Sequence, residues 1–184
     1  MRSPSALALF LLLELACVPH PESVREARAH FPRQALLGSV ILAEPPALTP
    51  LGSVFDDRVE LLGVELDPAR PRAGDTASVR FVFRVRRPLF DDFQVFVHGD
   101  PSGPSTRRLF ADHWPAQGRY PSGMWQAGEL IDDRFSLQLP RDYAGSRLSV
   151  YTGLYKGDLR LPLTDPGRAA ADRDNRALAF ELAL

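Results

Sequence analysis

The sequence predicts an all-β protein: an antiparallel β-sandwich of about seven to nine strands, reached through a signal peptide and a tether. Three observations carry this. Apolar and polar residues alternate with a period of two through most of the chain. Turn-forming clusters interrupt the alternation at short intervals. The 17 prolines among 184 residues disfavour long helices, because proline removes a backbone donor and clashes with the preceding turn.

The alternation is explicit in Val79, Phe81, Phe83 and Val85, set against Ser78, Arg80, Arg84 and Arg86 and broken only by Val82. Successive side chains of a strand point to opposite faces, so one face is buried and the other is wet. Phe93, Val95 and Val97 repeat the pattern, as do Phe135, Leu137 and Leu139, then Leu148, Val150, Thr152 and Leu154, then Leu178, Phe180 and Leu182. Ala35–Ala43 and Arg58–Leu66 are strand-like as well. One-sided alternation favours antiparallel pairing, since parallel strands covered on both faces read as continuous apolar runs. Asp67-Pro68, Arg72-Ala73-Gly74-Asp75, Asp100-Pro101-Ser102-Gly103-Pro104 and Pro140 separate the strands, and Gly157-Asp158 lies where a hairpin turn is needed.

The amino terminus reads as an address. Arg2 precedes an apolar run from Ala6 to Leu13, which is shorter than the roughly 20 residues of a membrane span and matches a signal-peptide core. Cys17, the one cysteine of the chain, ends this segment, which resembles a bacterial lipoprotein signal in which the cysteine becomes the lipidated first residue. Ala16 suits the position before it. Glu14 departs from the pattern, and it also departs from ordinary cleavage after Ala16, the alternative. The expected division is therefore a signal peptide over 1–16, a lipidated Cys17 with a flexible tether over 17–35, and the sandwich over 36–184. Within the tether, Ser23 could cap a short helix reaching His30, with Glu26 three residues on. The expected location is the bacterial cell envelope, on an outer-membrane or periplasm-facing lipoprotein, with the membrane as a partner through the lipid. The net charge of −1 gives no electrostatic footprint for nucleic acid.

The segment from Asp112 to Leu130 shows little alternation and holds both tryptophans. A loop this long in a compact domain is often functional. Trp114, Tyr120 and Trp125 are candidates for a platform on which sugar rings stack, or for plugs of one end of the sandwich. Asp112 and His113, with His98, are candidate metal ligands or an acid–base pair, although zinc needs three or four converging ligands. A local hydrogen bond holding a turn is the simpler use of such a pair. Asp132-Asp133, Asp91-Asp92 and Asp172-x-Asp174-Asn175 are acidic pairs, none with the complete oxygen set that calcium requires. No Gly-x-Ser-x-Gly elbow contains Ser122, and no Gly-rich phosphate loop is present. No catalytic residue, metal or cofactor is expected.

The order Asp112-His113-x-Pro115, Tyr120-Pro121, Trp125-x-x-Gly128-x-x-Ile131-x-Asp133-x-Phe135, Leu139-Pro140, Gly153-Leu154-Tyr155 and Arg160-Leu161-Pro162 resembles an extracytoplasmic module. That module occurs at the carboxyl terminus of some bacterial membrane glycosyltransferases and on stand-alone envelope proteins. Pro71–Thr76 and Val95-Phe96-Val97-His98 fit the same pattern, so the resemblance spans roughly Val59 to Leu184. It implies an immunoglobulin-like fold outside the cytoplasm and supplies no catalytic residues. The functional expectation is a non-catalytic binding module for a glycan or a protein partner. A purely structural or assembly role is the alternative, and a hydrolase using Asp112 and His113 is a second one.

Overall fold

The structure is a computed structural model that describes residues 23–102, 107–143, 147–172 and 174–183. The signal peptide expected over 1–16 and the lipidation expected at Cys17 lie outside these residues. The chain folds as two antiparallel sheets packed face to face.

The first sheet has the order β1 (Ile41–Leu42), β7 (Leu130–Gln138), β4 (Thr76–Val85), β3 (Val59–Asp67), β2 (Thr49–Phe55) and β10 (Leu163–Asp165). The second has the order β11 (Ala177–Ala183), β8 (Arg147–Lys156), β5 (Gln94–Ser102) and β6 (Leu109–Phe110), with β9 (Leu159–Arg160) folded back on β8. Among the described residues there are thus eleven strands, of which four are only two or three residues long. The seven longer ones fall within the expected number. Strands β3, β4 and β7 face β11, β8, β5 and β6, which is the A-B-E against G-F-C-C′ order of immunoglobulin-like sandwiches.

The alternation places the core as the sequence indicates. Val79, Phe81, Phe83 and Val85 of β4 meet Val95 and Val97 of β5 and Leu148, Val150 and Leu154 of β8 in one buried cluster. Gly157, with φ of 57°, makes the tight turn from β8 to β9. No helix among the described residues is long and apolar enough to cross a membrane.

Part of the stretch assigned to the tether is folded. Helix α1 (Val24–His30) carries a capping box, in which the Ser23 hydroxyl accepts the Glu26 amide and the Glu26 carboxylate accepts the Ser23 amide. This satisfies donors that a helix start otherwise leaves unpaired. The helix docks on the 120–125 segment, where Arg28 Nε donates to the Gly123 carbonyl. A 3-10 turn follows over Arg33–Leu36. Phe31 stacks on Tyr120 at 5.2 Å between ring centres. Arg33 donates to the Tyr120 hydroxyl at 3.2 Å and to the Met124 carbonyl at 2.6 Å, and lies 3.6 Å from Glu129. A guanidinium presents several donors in a fixed plane, so one side chain can hold several acceptors in place.

Candidate functional site

The long segment between β6 and β7 sends two of its three large rings into the core. Trp125 is 0% exposed, tilted against Phe83 at 5.9 Å, and its indole nitrogen donates to the Tyr120 carbonyl. Tyr120 is also 0% exposed. Its hydroxyl meets Glu129 at 2.7 Å, and burial followed by that carboxylate pushes the phenol far above its ordinary pKa. Two of the three rings of the expected platform are therefore inaccessible to a ligand. Trp114 alone is open, 47% exposed beside a hollow of about 300 Å³ that it shares with Asp92 and Pro121. Ser122 is buried as well, its hydroxyl accepting the Phe93 amide at 2.6 Å.

Asp112 and His113, neighbours in sequence, face different partners. Asp112 accepts the Val97 amide at 2.9 Å and approaches His98 Nε2 at 3.2 Å. His113 stacks on Phe135 at 4.4 Å, with Nδ1 2.8 Å from the Ala111 carbonyl and Nε2 2.9 Å from the Asp133 carboxylate. Both of its ring nitrogens face acceptors, so both donate, as the imidazolium does. Burial pulls the His113 pKa down, but the hydrogen bond and charge of Asp133 outweigh it, and the net shift is upward. With both nitrogens engaged, the ring has no free position at which to act as a base.

Asp133 is 0% exposed, on the inward face of β7. Its second oxygen accepts the Ala116 amide at 2.8 Å. Ala116 and Gln117 are consecutive left-handed residues, with φ of 50° and 58°. A left-handed residue with a side chain costs about 1 kcal/mol or more, so the turn Pro115–Gly118 depends on this anchor. The ion pair gives stability a definite pH dependence. A histidine whose folded pKa is raised stabilises fully below its ordinary value of about 6.5 and loses that contribution as pH climbs through the folded value. The melting temperature is expected to fall on the alkaline side of neutrality. A melt series between pH 6 and 9 in which this region stays flat would contradict the pairing.

The acidic pairs separate in the same way. Adjacent strand residues point to opposite faces, so Asp132 and Asp133 cannot hold one ion. Asp132 is bridged by Arg80 through two bonds of 2.7 and 2.9 Å. Asp91 pairs with Lys156, Asp92 accepts the Gly123 amide, and Asp172 pairs with Arg176. Among the described residues no group of three or more His, Cys, Asp or Glu side chains is placed to hold a metal.

A larger cleft lies elsewhere, on the outer face of the second sheet. It holds about 590 Å³ and is lined by Phe96, His98, Asp112, Tyr155, Arg160 and Asn175, with Asp158 and Asp174 at its exposed edge. Val95 and Val97 point into the core, so Phe96 and His98 between them point outward. Phe96 lies over Gly153 of β8, where an added Cβ would stand 2.6 Å from the ring. Only glycine leaves room for it. The Arg160 guanidinium sits 4.9 Å above the Phe96 ring centre. His98 packs between Phe96 and Phe110, each 5.0 Å away, and Phe110 is 64% exposed. Burial, and then the negative charge of Asp112, push the Tyr155 phenol pKa upward.

No protein-family model matches the chain, and no curated protein is significantly similar to it. The functional reading therefore comes from the cleft. Of the residues singled out in sequence, Asp112, His98, Asp174 and Asn175 line it; Trp114, Tyr120, Trp125 and His113 do not. The residues missed were Phe96, Tyr155 and Arg160. Their signal was present in the alternation: on β5 and β8 the wet positions carry Phe96, His98, Tyr151 and Tyr155, where β4 carries serine and arginine.

Proposed function

We propose that this protein is a cell-envelope lipoprotein, anchored through Cys17, whose immunoglobulin-like sandwich is a non-catalytic module that binds a glycan in the cleft on the outer face of its second sheet. The observation that carries the reading is the cleft itself: a concavity of about 590 Å³ that sets the partly exposed Tyr155 ring among polar groups. Sugar rings present C–H faces that pack on aromatic side chains, while hydroxyls seek fixed acceptors and donors that set orientation. Tyr155 supplies a partly exposed ring. Asp158, Asp174, Arg160 and Asn175 supply polar partners around it. The envelope location rests on the leader sequence and on the resemblance to extracytoplasmic modules.

The Asp112–His113 hydrolase reading loses support from the geometry. His113 is committed to Ala111 and Asp133, and Asp112 to Val97 and His98. A panel of soluble oligosaccharides titrated into the full-length protein tests the glycan reading. Binding is expected, and Tyr155→Ala is expected to weaken it by about tenfold, the upper range of an aromatic packing contribution. The melting temperature should scarcely move, because the ring is not part of the core. Absence of binding to every sugar by a folded protein would overturn the reading and leave a structural or assembly role in its place.

A further inference from the structure

We infer that the cleft selects sugars bearing a free amine, and discriminates against acidic sugars. This rests on the glycan reading above and deepens it. Three carboxylates line the cleft, those of Asp112, Asp158 and Asp174, against a single guanidinium, that of Arg160.

The carboxylates differ in availability. Asp112 is spent within the protein, since it accepts the Val97 amide and faces His98 Nε2 at 3.3 Å. Asp158 and Asp174 are exposed, and among the described residues their side chains have no hydrogen bond and no ion pair. Their negative charge is therefore free to face a ligand.

The donors are fewer and partly engaged. One nitrogen of Arg160 donates to the Asp174 main-chain carbonyl at 3.0 Å, and its plane covers Phe96. That arrangement holds the cation over the ring. Asn175 accepts the Leu163 amide through its side-chain oxygen, which leaves its NH2 as a donor. His98 is 8% exposed, and its Nδ1 is buried without a partner.

The cleft is thus rich in acceptors and net negative. An ammonium group supplies three donors and the complementary charge, whereas a uronate, sulfate or phosphate brings like charge to two unpaired carboxylates. A neutral sugar falls between the two.

The test compares three trisaccharides of similar size, titrated into the full-length protein in nonionic detergent at low salt: one of glucosamine, one of N-acetylglucosamine and one of galacturonic acid. The amine-bearing trisaccharide is expected to bind about fivefold more tightly than the acetylated one, as two exposed charge contacts allow, with the acidic one weakest. Added salt should shrink the difference, because exposed charges are screened. In the Asp158→Asn/Asp174→Asn variant, the ratio of affinities for the amine-bearing and the acetylated sugar should fall to about one. Both positions are exposed, so the fold should be unaffected. Equal or tighter binding of the acidic trisaccharide, or a preference that persists in the double variant, overturns the amine selectivity and leaves the glycan reading standing. Failure of all three sugars to bind overturns both.

Discussion

Replacing Trp125 with alanine is expected to lower the free energy of unfolding by about 3–5 kcal/mol, the usual cost of truncating a large buried aromatic. The indole is fully enclosed, packed against Phe83, and hydrogen-bonded to the Tyr120 carbonyl. Its removal leaves a void at the end of the sandwich and strands that carbonyl. The loss should spread to α1, because Tyr120 is also the seat for Phe31 and Arg33. Urea melts of Trp125→Ala beside Trp114→Ala provide the measurement. Trp114 is half open to solvent, so its truncation should cost far less. A loss under about 1 kcal/mol at Trp125 would mean that the segment packs loosely, contrary to its burial.

Asp133→Ala should be as damaging, by about 3–5 kcal/mol, because removal of one partner leaves a buried charge uncompensated. His113 would keep its stacked position on Phe135 with no carboxylate opposite Nε2. The Ala116 amide, buried at 2% exposure, would lose its acceptor, and the left-handed pair Ala116-Gln117 its anchor. Asp133→Asn separates these contributions. The amide can still accept from Ala116 while facing a neutral histidine, so the expected cost is smaller and the alkaline decline in stability disappears. Melts of both variants at pH 6 and pH 9 distinguish the effects. A decline of unchanged size in the asparagine variant would show that another group is responsible.

The layered body was readable because a strand exposes its burial in every second residue. Val79 to Val85 and Leu148 to Leu154 show this directly. The short strands β1, β6, β9 and β10 were not readable, since two or three residues cannot establish a period. The 112–130 segment has no period at all, so its rings could equally have been plugs or a platform. What decides is contact with residues distant in sequence: Phe83 beneath Trp125, and Phe31 and Arg33 around Tyr120. The cleft was hidden for a related reason. Its aromatics stand on strand faces that alternation labels simply as wet, and its edge comes from Asp174 and Asn175, which are close to Asp112 only after folding. Acidic neighbours such as Asp132 and Asp133 suggested shared chemistry in sequence, and strand geometry then divided them between two faces.

The docking of α1 also bears on how far the domain would stand from a membrane if Cys17 carries the proposed lipid. Ser23, the cap of that helix, lies six positions after Cys17. An extended chain advances at most about 3.6 Å per residue, so a lipid on Cys17 would hold the helix within roughly 20 Å of the headgroups. The leash is short. A module on it could sweep only the layer of envelope next to the bilayer, and would meet polymers rooted in that same leaflet before those suspended farther away.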